Sequence, residues 1–388
     1  MKIFKLKDIS EFIRNGVTIK QDISSKEGIP ITRIETISKG TIDFNKLGYA
    51  NIFKIEKYKE WLLKKGDILI SHINSEKHLG KSAIYLDNNY DIIHGMNLLC
   101  IRAIDKKVFP EYLQLFFKTN QYKKQIKKIT KKSVNQASFS VNDFKEILIT
   151  VPDLNIQEKI IKKIKVLEKI LENNKLKLNY LSELTKSLFT RMFGDIKSND
   201  KNWKIYKFSE KLKISSGGTP SKANKIYWKN GTISWIGSNM CNDEIITKND
   251  GKFITEEGLK NSSAKIYKMN TVIVALVGAT IGKTGLLKFE TSTNQNIAAL
   301  EIKNMDYSPE FLFFLLQNLY YKFTELGGDT FKMANLSFIK NLPLISPPIE
   351  LQNKFAERIE KIEKLKFTIW KIISKVYKIL KKKGVEKD

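Results

Sequence analysis

Residues 157–193, QEKIIKKIKVLEKILENNKLKLNYLSELTKSLFTRMF, contain neither Pro nor Gly. Ile160, Ile164, Leu167, Leu171, Leu178, Leu181 and Leu188 recur at spacings of four and three, which keeps a narrow apolar stripe on one helix face and marks a coiled-coil seam. A straight helix of this length spans about 55 Å at about 1.5 Å per residue, more than most globular domains need, so the stretch reads as a spacer.

The seam returns near the C-terminus. Gln352 opens a second helix whose stripe is Phe355, Ile359, Ile362, Ile369, Ile373, Val376 and Leu380. A shift of 195 residues carries Ile160 to Phe355, Ile164 to Ile359, Leu167 to Ile362, Leu178 to Ile373 and Leu181 to Val376. Each seam also holds one polar intruder: Asn174, whose copy is Ile369, and Lys366, whose copy is Leu171. In an antiparallel pairing with Ile160 opposite Leu380, the two intruders share a layer, where a buried Asn beside a snorkelling Lys fixes register at some cost in stability. A chain so rich in Asn and Lys also places them there without purpose, and the sequence leaves both readings open.

The rest of the chain comes in copies too. At an offset of 202, Leu6, Asp8, Phe12 and Gly16 map onto Phe208, Glu210, Ile214 and Gly218. Ile31-Thr32-Arg33-Ile34 maps onto Ile233-Ser234-Trp235-Ile236 at the same offset, and both read as short strands. Residues 66–71 match 270–275, each a strand after a tight turn, and Gly80-Lys81-Ser82 matches Gly282-Lys283-Thr284. At an offset of 199, Asn97 maps to Asn296 and Pro110-Glu111 to Pro309-Glu310, where Pro presets a first helical turn and Glu complements its dipole.

The predicted class is α+β: two pseudo-twofold-related α/β domains separated by two long antiparallel coiled-coil helices. The first domain is assigned to residues 1–150, the central helix to 151–195, the second domain to 196–345 and the C-terminal helix to 346–388, with a polar turn from Gly194 to Asn202 joining the halves. Two similar domains on a spacer suit a target made of two half-sites.

With 388 residues and 42% hydrophobic content, the chain is long enough and apolar enough for two cores. Its net charge of +27 points to a polyanion. Arg occurs only at 14, 33, 102, 191 and 358, so 68 minus 5 leaves 63 Lys, a bias that an AT-rich coding sequence also produces. Nucleic acid is favoured over an anionic membrane because the basic residues are spread through globular sequence. No apolar run approaches the length that spans a bilayer, the opening residues do not read as a signal peptide, and Cys100 and Cys241 stand apart from each other and from the histidines. A soluble protein of the reducing cytoplasm, without metal site or disulfide, is the expectation.

The segment from Gly278 to Thr284 resembles a nucleotide-binding loop but has three residues between its glycines where the phosphate cradle needs four. A turn presenting Lys81 and Lys283 to a phosphate backbone, or an ordinary surface turn, is the better reading. Ser216-Gly217-Gly218-Thr219-Pro220-Ser221-Lys222 combines close-approach glycines with hydroxyls and a Lys that suit phosphate contact, and its first-half counterpart ends at Lys20. Trp228 and Trp235 either stack on bases or sit in a core. The histidines at 72, 78 and 94 have no copies in the second half, so no shared catalytic group emerges, and no aminomethyltransferase pocket motif or convincing nuclease triad is present.

These motifs resemble the DNA specificity subunit of type I restriction-modification enzymes over almost the full length. The most specific parts are Ser-Gly-Gly-Thr-Pro-Ser (216–221), Tyr-Trp (227–228), Ile-Ser-Trp-Ile (233–236), Gly-Ala-Thr-Ile-Gly-Lys (278–283), Asn-Gln-Asn (294–296) and Pro-Pro-x-x-x-Gln (347–352). The first half departs, with Gly95-Met96-Asn97 and Pro152-Asp153 at the corresponding places.

The resemblance implies a non-catalytic subunit in which each globular domain is a target recognition domain reading half of a bipartite duplex DNA sequence. The helices set the gap and dock two methyltransferase subunits, and restriction and translocase subunits complete the complex. S-adenosylmethionine belongs on the methyltransferase partner, not on this chain. Candidate DNA contacts are Lys20, Arg33, Lys81 and Asn97 in the first half and Ser216, Gly218, Thr219, Ser221, Lys222, Trp228, Trp235, Lys283, Gln295 and Asn296 in the second. A non-specific nucleic-acid or scaffold protein, and an enzyme fused to a DNA reader, are the rival readings.

Overall fold

The computed structural model describes residues 2–20, 27–87, 90–133, 136–326 and 333–382. It falls into two compact units, Met1–Lys175 with Trp370–Asp388 and Leu176–Ile369. The first unit is therefore discontinuous in sequence.

Continuous apolar runs form the inner strands of the sheet at the centre of each unit. In the first, the antiparallel order is Ser10–Asn15, Leu98–Ala103, Ile68–Ser71, Ser82–Ile84, with Ile68 paired to Ile101 and Ile70 to Leu99. Ile68, Ile70, Leu99 and Ile101 point into a core with Leu113, Phe116, Tyr122 and Phe144. Leu69, Leu98 and Cys100 point the other way, against Ile37, Leu63 and Tyr85. In the second unit the order is Leu212–Ser216, Ile297–Ile302, Val272–Ala275, Thr284–Leu287, Glu244–Ile246, the last pair parallel. Val272, Val274, Ala298 and Leu300 face Phe311, Leu312 and Phe355, while Ile273, Ala275, Ile297 and Ala299 face Ile236, Cys241 and Tyr267. Both faces of both sheets are covered, which is why their strands read as continuous apolar runs.

Tight turns precede the inner strands, as expected, with Gly66 at φ 95° and Asn270 at φ 71°. The expected strand at Ile31–Ile34 is corrected. Ile31 makes only isolated bridges to Gly48 and Ile93, and Ile34–Ile37 is a 3-10 turn, because the Thr36 hydroxyl accepts from the Arg33 amide at 2.9 Å and bends the chain. Its copy Ile233–Ile236 is a strand.

The two long helices span Leu154–Phe193 and Ile349–Lys382. Each starts three residues before the expected glutamine, because the carbonyls of Asp153 and Pro348 already accept the first-turn amides of Gln157 and Gln352. The first unit takes the N-terminal part of the central helix with the C-terminal end of the other, and the second takes the complementary parts, the division an antiparallel pair gives. In the first, Lys175 lies over the Tyr377 ring at 5.9 Å; in the second, Phe189 and Phe193 pack edge-on against Phe355.

Ile164, Leu171, Phe355, Ile359, Ile362, Ile373, Val376 and Leu380 are buried, while Ile160, Leu167, Leu178, Leu181 and Ile369 are half-buried. Each polar intruder is satisfied on its own helix: the buried Asn174 donates to the Ile170 carbonyl at 2.7 Å, and Lys366 pairs with Glu363 at 2.8 Å.

A matched pair of fully buried glutamines ties each helix to its unit. Gln157 accepts from the Phe109 amide at 2.9 Å and donates to the carbonyls of Lys107 and Pro152. Gln352 accepts from the Ser308 amide at 2.9 Å and donates to Asp306 and Pro347. One carboxamide thus fixes the start of the long helix, the strand before it and the N-terminus of the Pro-Glu helix.

Candidate nucleic-acid interface

In the second unit three separate motifs converge. Trp235 and Ile236 pair in parallel with Ser292 and Thr293, which carries the chain straight into Asn294-Gln295-Asn296. The Gly218 amide donates to the Thr293 carbonyl at 2.8 Å, and the Thr219 hydroxyl donates to the Gln295 carboxamide oxygen. A Cβ at Gly217 would lie 2.1 Å from the Thr293 carbonyl oxygen, and one at Gly218 would lie 2.3 Å from the Ser263 hydroxyl, so only glycine permits this approach. The Trp235 indole donates to the Gly218 carbonyl at 3.0 Å and that of Trp228 to Ser221 at 3.1 Å, the two rings meeting edge to face.

The first unit repeats the arrangement with different side chains. Val17 bridges Gly95 in parallel, the Val17 amide donates to His94 and the Met96 amide to Val17. A Cβ at Gly16 would fall 2.1 Å from the Gly95 carbonyl oxygen, and the Gly95 amide donates to the Thr32 hydroxyl. Thr18 meets Met96, its hydroxyl 3.2 Å from the sulfur, where the second unit has Thr219 meeting Gln295. Thr32, Gly95, Gly217 and Thr293 complete the two constellations and were missed as site residues; the repeat match at 31–34 and 95–97 was the signal that could have found them.

Of the candidate DNA contacts, Lys20, Ser221, Lys222 and Gln295 are exposed. Arg33, Lys81, Asn97, Ser216, Thr219, Trp228, Lys283 and Asn296 are half-buried, and Gly218 and Trp235 are buried. Trp235 is thus buried, with its indole holding the Gly-rich loop.

Lys81 and Lys283 stand on equivalent turns, each held to the end of an inner strand at Ser71 and Ala275. Gly80 and Gly282 both have φ 75°, with Gly80 against Ile126 and Gly282 against the Phe323 ring. In the second turn the amides of Ile281, Gly282 and Lys283 donate to Gly278, Ala275 and Thr280, so they are committed to the turn and form no phosphate cradle. Lys81 donates to the Ser38 carbonyl at 3.2 Å.

Two of the three histidines, His72 and His94, are buried in the first unit. Burial holds His94 down to about 4, and its Nε2 lies 2.9 Å from the Leu98 carbonyl. Burial likewise holds His72 down to about 4. Both folded values lie below the unfolded one near 6.5, so stability present at neutral pH is lost as the unfolded state takes up protons between about pH 6.5 and 4. Acidification from pH 7 to 4.5 is expected to speed intrinsic-rate-corrected amide exchange in residues 1–175 and to spare 176–369, which has no His. Equal loss in both would refute the assignment.

Buried Cys241 has its thiol pushed up to about 12, and burial raises Cys100 as well. Among the described residues no group of three or more His, Cys, Asp or Glu is placed to hold a metal, and no helix is long and apolar enough to cross a membrane.

Residues 1–181 and 200–382 each match the type I restriction modification DNA specificity domain. A specificity subunit assigned to the type I restriction enzyme MjaX of Methanocaldococcus jannaschii is 30% identical over 386 residues, covering 94% of this chain and 87% of its own. The EcoR124I/EcoR124II specificity subunit of Escherichia coli is 25% identical over 183 residues, 44% of this chain and 42% of its own. The solved type I restriction-modification S subunit of M. genitalium has the same fold, with TM-score 0.63 at 14% identity over 100% of this chain and 96% of that one. A chain from a structural study of assembly and conformational transition in a type I system gives TM-score 0.56 at 14% identity, covering 97% and 95%.

Proposed function

This chain belongs to the type I restriction-modification DNA specificity family, and from that premise we propose that each repeat reads one half of a split duplex DNA sequence through its convergent loops. The observation that carries the reading is the recurrence of one constellation with different side chains. A glycine-bearing loop, a short parallel pairing and an Asn-containing turn meet in both units, but Thr219 and Gln295 in one answer to Thr18 and Met96 in the other. Hydrogen-bonding groups and apolar groups recognise different base edges, so one frame serves two half-sites.

The paired helices set the gap between half-sites and dock two methyltransferase subunits, with restriction and translocase subunits joining them. S-adenosylmethionine is bound by the methyltransferase, and this chain supplies address and geometry. Isolation of the complex from its native cells, with methylation mapping of their DNA, tests this. Two methyltransferase copies per chain and a split methylated motif that disappears on deletion are expected. An unchanged methylome would sink the reading.

Lys283 serves the phosphate backbone on this reading. Lys283→Ala is expected to weaken binding to every duplex alike and to reduce the slope of log K against log salt by about 0.9. An unaltered slope would leave Lys283 as a residue of the turn alone.

A further inference from the structure

The first unit carries a groove whose charge departs from the rest of the surface. One wall is formed by residues 38–41 and 76–82, another by the helix Asn120–Ile129, and the central helix closes one side with Leu171, Glu172 and Lys175. Of its 22 lining residues, eight are Lys and three are Glu, an excess of five positive charges. The whole chain has 63 Lys in 388 residues, so a groove of that size drawn at the average frequency would hold about three or four.

General basicity does not account for the difference. The groove beside the C-terminal helix in the second unit holds Lys288 and Lys303 against Glu310, Glu357, Glu360 and Glu363, an excess of two negative charges. The repeat copies the basic groove only in part: Lys283 and Lys322 stand for Lys81 and Lys123, but other cations are lost. At the offset of 199, Gln317 and Leu326 stand for Lys118 and Lys127, and at 195 Trp370 stands for Lys175.

We infer that this groove is a phosphate-backbone track, holding duplex DNA beside the first unit's recognition loops without reading its sequence. The inference rests on the DNA-reading function proposed above and assigns that function an asymmetric grip. Three features favour DNA over an acidic protein segment. Of the apolar side chains lining it, Phe117, Tyr122, Ile126 and Leu171 are buried and Leu79 is half-buried, so the groove holds no fully exposed apolar anchor of the kind protein partners use. All the cations are Lys, point charges suited to a backbone, with no Arg fork for carboxylates. Glu76 and Glu168 are already paired with Lys132 and Lys118, so the positive excess is what faces the groove.

Lys77 and Lys127 are exposed, and their truncation removes charge without touching the core. Affinity of the full chain for 30-base-pair duplexes of several unrelated sequences is measured against salt. For Lys77→Ala/Lys127→Ala the slope is expected to fall by about 1.8 and affinity to drop roughly tenfold or more on every sequence. A control of equal charge, Lys201→Ala/Lys340→Ala on exposed positions of the second unit, is expected to change the slope less. Groove variants with the parent slope overturn the track. So does intact DNA binding together with loss of a co-purified protein, which reassigns the groove to a partner. If the unsubstituted chain binds no duplex even at low salt, the DNA-reading function itself fails, a result distinct from failure of the groove alone.

Discussion

Gln352→Leu is expected to destabilise the second unit by about 3 kcal/mol or more while filling nearly the same volume. The substitution strands the Ser308 amide, which the carboxamide oxygen satisfies at 2.9 Å, and removes the donor to the carbonyls of Asp306 and Pro347. Each buried polar group left without a partner costs about 1–3 kcal/mol, far more than the net worth of a made bond. The damage also reaches the N-terminus of the helix Pro309–Asn318, whose buried Phe311, Leu312 and Leu315 belong to the main core. Gln157→Leu is expected to do the same in the first unit through Phe109, Lys107 and Pro152. Denaturant unfolding of the full chain, with hydrogen exchange to localise the loss, measures both. A cost under about 1 kcal/mol, or a loss spread evenly over both units, would show that the carboxamides are replaceable.

The second large effect is expected from Gly217→Ala. Its new methyl would stand 2.1 Å from the Thr293 carbonyl oxygen, a backbone atom inside a paired strand that cannot yield as a side-chain tip would. The Gly-rich loop must then withdraw from the Asn-Gln-Asn turn, at about 3 kcal/mol on the scale of overpacked interiors. Because Thr219 and Gln295 meet only while those segments touch, the assembled complex is expected to lose on the order of 100-fold in preference for its target over random duplex. Non-specific binding, which depends on charge, is expected to persist. Gly16→Ala, with its methyl 2.1 Å from the Gly95 carbonyl oxygen, is the first-unit counterpart by contact, although the 202-residue offset matched Gly16 to the neighbouring Gly218, and is expected to relax only the other half-site. Competition binding against targets altered in one half distinguishes the two, and unchanged discrimination in both variants would dissociate the convergence from recognition.

Much of this architecture was open to reading because it is written twice. The helical stripes, the Pro-Glu helix starts and the Gly66 and Asn270 turns each depend on local spacing, and a second copy separates such a pattern from chance. Ile31–Ile34 misled for the complementary reason. Its copy has the same apolar spacing, but the Thr36 hydroxyl takes the Arg33 amide and turns the chain, a choice made by one side chain that periodicity does not register. The matching of Gln157 with Gln352 was visible, while their work was not, because each reaches carbonyls and amides more than forty residues back in the chain. Trp235 shows the same limit: an aromatic beside a strand looks alike whether it faces solvent or closes over a glycine.

The discontinuity of the first unit has a genetic consequence. A premature stop near residue 370 would leave the second unit's residues intact and strip the first, encoded far upstream, of its closing helical segment. Recombination within the polar turn at 194–202 that imports a new first half would likewise leave that half to be finished by the resident gene's codons for residues 370–382. Exchange of first halves between genes of this kind is therefore expected to succeed only where residues 370–382 remain compatible with the incoming half, and selection on those codons acts for a unit encoded far upstream.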